Sequence, residues 1–241
     1  MADREQLTRT YRFALGICVP TVRFWGRLQV AGLENIPPAG PLIVAGNHDS
    51  YWDPVVVGIA AIPHRQIRAL SKSSLWKVKG LKKVLDGMGQ IPVVRGTKDI
   101  DALDRAMTEL RAGACVGIFP EGTRSLGRPL RARSGLGRLA AAVPEAKVVL
   151  SAVSGTTDIT RLGRRPRLKV TFLEPRGGQM RPGEDPADFA VRCLADLREH
   201  APISVAGRKR EKALAAAPPP EPESPAEERE KIIPPAGAAG G

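Results

Sequence analysis

The sequence predicts an α/β fold: a central mixed, largely parallel sheet flanked by helices, preceded by an N-terminal amphipathic helical segment. Three observations carry this expectation. From Leu42 onward, short β-rich runs alternate with helical patterns, as they do where helices cross over between strands of one sheet. Cap-forming residues punctuate one of those helices at both ends. A hydrophobic content of 42% over 241 residues is enough for one sizeable core plus a tail.

Taken in order, residues 4 to 28 mix Tyr11, Phe13, Leu15, Ile17, Val22, Phe24 and Trp25 with Arg4, Arg9, Arg12, Arg23 and Arg27. This suits one helix, or two broken near Pro20. Such a segment either lies in a membrane interface with its arginines among headgroups or packs on its own domain. Strands are expected at Leu42–Ala45, Ile67–Leu70, Ile91–Val94, Val116–Phe119, Val148–Leu150 and Leu168–Phe172. Helices are expected around 54–62, 74–86, 98–112, 135–143 and 186–200. Thr97 or Asp99 can cap the third of these, and Gly113 stands where a left-handed C-terminal cap belongs. From about Gly207 the Ala/Pro/Glu-rich sequence cannot bury a core and reads as a disordered tail. The expected organisation is an amphipathic helical segment (1–30) suited to a membrane surface, one α/β domain (31–206) and a disordered tail (207–241).

The formal net charge is +12, and residues 208–241 hold six basic and six acidic side chains, so the excess belongs to residues 1–207. A basic body calls for an acidic partner: nucleic acid, an anionic membrane surface or a phosphorylated small molecule. Aromatics make up only 4% of the chain and no nucleic-acid-binding signature occurs, so nucleic acid is not expected. Cys18, Cys115 and Cys193 are far apart, odd in number and in apolar settings, which fits a reduced, cytoplasmic environment with each thiol a small core residue. No apolar run reaches the roughly 18 residues needed to span a bilayer; the best, Phe13–Val19, is flanked by Arg12 and Arg23. Pro20-Thr21-Val22-Arg23 also lacks the small-residue pattern of a signal-peptide cleavage site.

His48 follows the strand-like Pro41–Gly46, and Asp53 stands five residues later, before Pro54 and an apolar helix. On one regular helix that spacing would set the side chains roughly 140° apart, so a His–Asp contact requires a turn between them. Asn47, Asp49 and Ser50 are turn formers. A carboxylate on one imidazole nitrogen fixes the tautomer and leaves the other nitrogen to take a proton from an alcohol. The plainer alternative is that Asp53 caps the helix that Pro54 opens. A second constellation, Phe119-Pro120-Glu121-Gly122-Thr123-Arg124-Ser125, follows another strand; its glycine lets backbone approach a ligand and its arginine can grip phosphate. A third, Val93-Val94-Arg95-Gly96-Thr97, again places an arginine and a glycine after a strand.

In this order the segments resemble the family of 1-acyl-sn-glycerol-3-phosphate (lysophosphatidic acid) acyltransferases and their glycerolipid-acyltransferase relatives, over roughly residues 25 to 175. Asn47-His48 with Asp53 is similar to the family's His-x-x-x-x-Asp motif, Arg95-Gly96 to its second block, and Phe119–Ser125 to its third. The chain departs from the pattern at Leu150, where the family usually has proline, and at Ala132-Arg133-Ser134-Gly135, where it has Phe-Lys-x-Gly.

The resemblance implies His48 as general base oriented by Asp53, with Arg95, Gly96, Glu121, Gly122, Thr123 and Arg124 at the acceptor site and the arginines serving phosphate. It implies no metal and no cofactor, with acyl-CoA or acyl carrier protein as the donor substrate. The implied reaction acylates the sn-2 hydroxyl of lysophosphatidic acid, giving phosphatidic acid in phospholipid biosynthesis, by a peripheral or monotopic protein on the cytoplasmic side of the cell membrane. Another lysophospholipid or lipid alcohol as acceptor, or a non-catalytic lipid-binding module, are the alternatives.

Overall fold

The computed structural model describes residues 7–94, 100–161 and 165–204. Helix α1 (Arg9–Val19) starts on Thr8, whose hydroxyl accepts from the Tyr11 N–H. At Pro20 the backbone loses a donor and the helix passes into a π-helical segment, Pro20–Trp25, so the expected break is a change of helix type. Tyr11, Leu15 and Val22 are buried, while Phe13, Ile17 and Phe24 on the other side are between 64% and 73% exposed. The N-terminal segment thus packs on its own domain along one face and leaves an apolar face uncovered.

Seven strands follow: β1 (Gln29–Ala31), β2 (Leu42–Gly46), β3 (Ile67–Lys72), β4 (Ile91–Val93), β5 (Cys115–Ile118), β6 (Lys147–Ser154) and β7 (Lys169–Leu173). They form one sheet in the order β1-β7-β6-β2-β5-β3-β4. The run from β6 to β4 is parallel throughout; β7 is antiparallel to β6, and β1 is parallel to β7. Helices α2 (Asp53–Ala61), α3 (Leu81–Gly87), α4 (Ile100–Arg111), α5 (Gly135–Ala142) and α6 (Pro186–His200) complete an α/β fold of the expected kind. Every residue of β2 is buried because both sheet faces are covered. Ile43 and Ala45 belong to the core under α4, α5 and α6, whereas Leu42 and Val44 belong to the core under α1 and α2.

Three details differ from expectation. β1 went unpredicted: it is a three-residue edge strand, exposed along its length, that shows no apolar pattern. The expected helix over 74–86 is a 3₁₀ segment, Ser73–Lys77, that ends on Val78, followed by α3, which starts on Gly80 at φ 82°. β6 runs on to Ser154, well past the apolar core of its sequence. The expected cap at Gly113 does form: at φ 83° it donates to Leu110 O while Ala114 N–H reaches Glu109 O. Thr97 and Asp99 lie outside the described residues.

The chain order places β2 between two strands made much later, β5 and β6. The carboxyl ends of these three parallel strands lie side by side, which is where open α/β sheets form their crevices.

Candidate active site

His48 and Asp53 meet at the end of β2. Residues 47–52 form a turn, as their spacing requires. The Asp53 Oδ2 accepts from His48 Nδ1 at 3.0 Å and from the backbone N–H groups of Asp49 and Ser50, both at 2.7 Å. Its Oδ1 accepts from the Thr156 hydroxyl, just beyond β6. The carboxylate therefore reaches back to the loop; the N-cap of α2 is Trp52, with no side-chain cap. Because the carboxylate can only accept, Nδ1 carries the proton and the basic lone pair sits on Nε2. No described residue hydrogen-bonds Nε2, and the ring stacks on Phe119 with centroids 4.3 Å apart. Asn47, fully buried, anchors the turn by exchanging hydrogen bonds with the backbone of Val153 on β6.

Below this pair lies a buried ionic cluster that the motifs alone do not reveal. Glu121 accepts the His48 backbone N–H on Oε2 at 2.7 Å. Arg198, from the last turn of α6, donates to Glu121 Oε1 and forks onto both oxygens of Asp49 at 2.9 and 3.0 Å. Ser125 also donates to Asp49, and its N–H donates to the His48 carbonyl at 2.7 Å. Burial pushes the Glu121 carboxyl above its ordinary value, against the pull of Arg198. Burial likewise opposes the Arg198 charge, but its hydrogen bonds to Asp49 and Glu121 outweigh that and raise it. The Glu121 carboxylate, expected at the acceptor site, is thus occupied inside the protein.

Gly122 adopts φ 66°, and a Cβ there would stand 2.6 Å from Arg133 Cδ, so this turn requires glycine. Thr123 is exposed, and Arg124 stacks over the Tyr51 ring at 3.6 Å, which holds its guanidinium beside the His48 loop. Arg95 and Gly96 lie outside the described residues. Burial pushes the Cys193 thiol up to about 12, in keeping with a core residue. Among the described residues no group of three or more His, Cys, Asp or Glu is placed to hold a metal ion.

An apolar cavity of about 470 Å³ opens beside the pair. Its lining includes Phe119, on which His48 stacks, and Gly46 and Tyr51 from either side of His48 in the chain, together with Ala14, Leu15, Val84 and Met88 from the α1 and α3 side. What the site offers is an imidazole oriented by a carboxylate and stacked on Phe119 of the cavity wall, with an arginine stacked on Tyr51 of the same wall.

The chain belongs to the Acyltransferase family, whose model matches residues 27–159 and so takes in both His48 and Asp53. Among its relatives is the 1-acyl-sn-glycerol-3-phosphate acyltransferase of Bacillus subtilis, 25% identical over 68% of this chain and 81% of that protein. The enzyme of the same name from Borreliella burgdorferi is 36% identical, over 44% of this chain and 42% of that protein. The crystal structure of the 1-acyl-sn-glycerophosphate (LPA) acyltransferase PlsC from Thermotoga maritima shares the fold, with a TM-score of 0.55 over 83% of this chain and 82% of that one at 22% identity.

Proposed function

We propose that this protein moves a fatty acyl group from acyl-CoA or acyl carrier protein to the sn-2 hydroxyl of lysophosphatidic acid, giving phosphatidic acid on the cytoplasmic side of the membrane. One observation carries the reading: a His48–Asp53 pair, with no described residue hydrogen-bonded to Nε2, stacks on Phe119 in the wall of the apolar cavity. The acyl chain occupies the cavity, which brings its thioester carbonyl up to His48. Nε2 takes the proton of the acceptor hydroxyl as its oxygen attacks that carbonyl. The carbon–sulfur bond then breaks, and the imidazolium, held by Asp53, returns its proton to the departing thiolate. Arg124 serves the acceptor's phosphate, with Arg95 and Gly96 as its expected partners.

The test is thiol release and product formation from acyl-CoA and acyl carrier protein donors, with lysophosphatidic acid compared against a monoacylglycerol that lacks the phosphate. Phosphate-dependent turnover is expected. Equal rates on both acceptors would point to the lipid-alcohol alternative, and no thiol release with any donor to a non-catalytic binding module. The cavity makes a further prediction. Ala14 is half-buried on α1 and lines the chamber. Ala14→Phe is expected to move the donor preference toward shorter acyl chains, read as kcat/KM across a chain-length series.

The membrane reading rests on the uncovered face of the N-terminal helices. Phe13, Ile17 and Phe24 project there among Arg9, Arg12 and Arg23. No helix among the described residues is long and apolar enough to cross a bilayer. The double substitution Phe13→Ser/Phe24→Ser is expected to weaken binding to anionic vesicles at least tenfold, because each buried aromatic contributes about 1.5–3 kcal/mol. Unchanged co-sedimentation would remove this face as the docking surface.

A further inference from the structure

We propose that Arg198 is a positioning residue for acyl transfer: by pairing with Asp49 and Glu121, it keeps two buried negative charges in the His48 loop from acting on the imidazole. This rests on the acyl-transfer reading above.

Three carboxylates surround one imidazole. Asp53, from α2, holds Nδ1; Glu121, beyond β5, holds the backbone N–H; Asp49 is the next residue in the chain. Glu121 and Asp49 are only 2% and 4% exposed, so water screens neither. Both converge on a single guanidinium, which reaches them from α6, the last helix described. Two further arginines stand close by among the described residues, Arg124 stacked on Tyr51 and Arg133 alongside Gly122, and neither hydrogen-bonds Asp49 or Glu121. Thr156 and Ser125 are neutral donors.

Without the guanidinium, two buried like charges stand beside the imidazole, and such a field favours the protonated ring. A protonated ring cannot take the acceptor's proton. Arg198 touches no part of the imidazole and therefore acts through Asp49 and Glu121. Its planar fork also matches the geometry: one end donates to Glu121 while two nitrogens straddle Asp49, an arrangement a lysine ammonium cannot reproduce.

The experiment is the pH profile of kcat/KM, together with thermal melts, for wild type, Arg198→Met, Arg198→Lys, Asp49→Asn and the Arg198→Met/Asp49→Asn pair. The acid limb of that profile reports the free enzyme's base. Arg198→Met is expected to move the acid limb up by about one pH unit, and so to lower kcat/KM by up to about tenfold at pH values on that limb. Arg198→Lys should keep the limb near the wild-type position with reduced turnover. The pair should bring the limb back, because it removes one negative charge along with the positive one. A folded Arg198→Met protein whose limb does not move, or a pair no better than the single variant, overturns the proposal.

Should Arg198→Met not fold, Asp49→Asn carries the test alone, since it makes the opposite change in charge. Its limb is expected to move down, and an unmoved limb overturns the proposal. A wild-type protein that transfers no acyl group overturns the acyl-transfer reading itself, and this inference with it; an active wild type with any of the contrary profiles overturns the inference alone.

Discussion

His48→Ala is expected to lower kcat/KM for acyl transfer by about 10²–10⁴-fold, the range that a positioned base contributes. The loss should arise without loss of fold. The ring gives up its stacking on Phe119 and one hydrogen bond to Asp53, together about 1–3 kcal/mol. Asp53 keeps its other three donors, from Asp49, Ser50 and Thr156, so the loop stays anchored. Circular dichroism and a melt with one cooperative transition would verify this. Activity within a few-fold of wild type would sink the base assignment.

Asp53→Asn is the sharper experiment, because its two readings predict different things. As a helix cap, Asp53 would affect stability alone. As the carboxylate that orients His48, it determines which imidazole nitrogen is free, and its loss is expected to cost on the order of 10³–10⁴-fold in kcat. Asparagine is nearly the same shape, and its amide can still meet the Thr156 hydroxyl. Its neutral oxygen is a weaker acceptor for the donors now gathered on Oδ2, so a stability loss of about 1–3 kcal/mol accompanies the kinetic one. A variant that melts early yet turns over at the wild-type rate would return Asp53 to a purely structural role.

Much of the fold is legible in the sequence because the central strands are apolar and residues such as Gly113 mark where a helix ends. Val116 to Ile118 and Val148 to Leu150 declare themselves as strands; Gln29-Val30-Ala31 does not, since an edge strand takes its order from pairing with β7 rather than from burial. The split of the 74–86 region was signalled by Gly80, which a helical pattern with apolar residues on both sides obscures. At the site, His48, Asp53 and the Phe119–Ser125 segment are conspicuous because unusual residues follow strands. Asp49 reads as a turn former, and nothing local says that the turn will be buried. Arg198 is less visible still. A charged residue near the end of an amphipathic helix is ordinarily a solvated cation suited to the helix dipole, and only the packing of α6 carries it inward to two carboxylates. Glu121 is legible as a site residue, but the direction of its carboxylate, toward the His48 backbone and Arg198, is a tertiary property.

The position of β2 in the sheet also bears on how the protein is made. His48 and its loop leave the ribosome early, yet Glu121 is 73 residues from His48, Thr156 is 103 from Asp53 and Arg198 is 149 from Asp49. Contacts so distant in sequence close slowly, because the intervening chain must be ordered before they form. A nascent chain that has not yet released α6 carries His48 beside two carboxylates with no counter-charge. Of the helices described, the one that supplies the counter-charge for Asp49 and Glu121 is thus the last to be made.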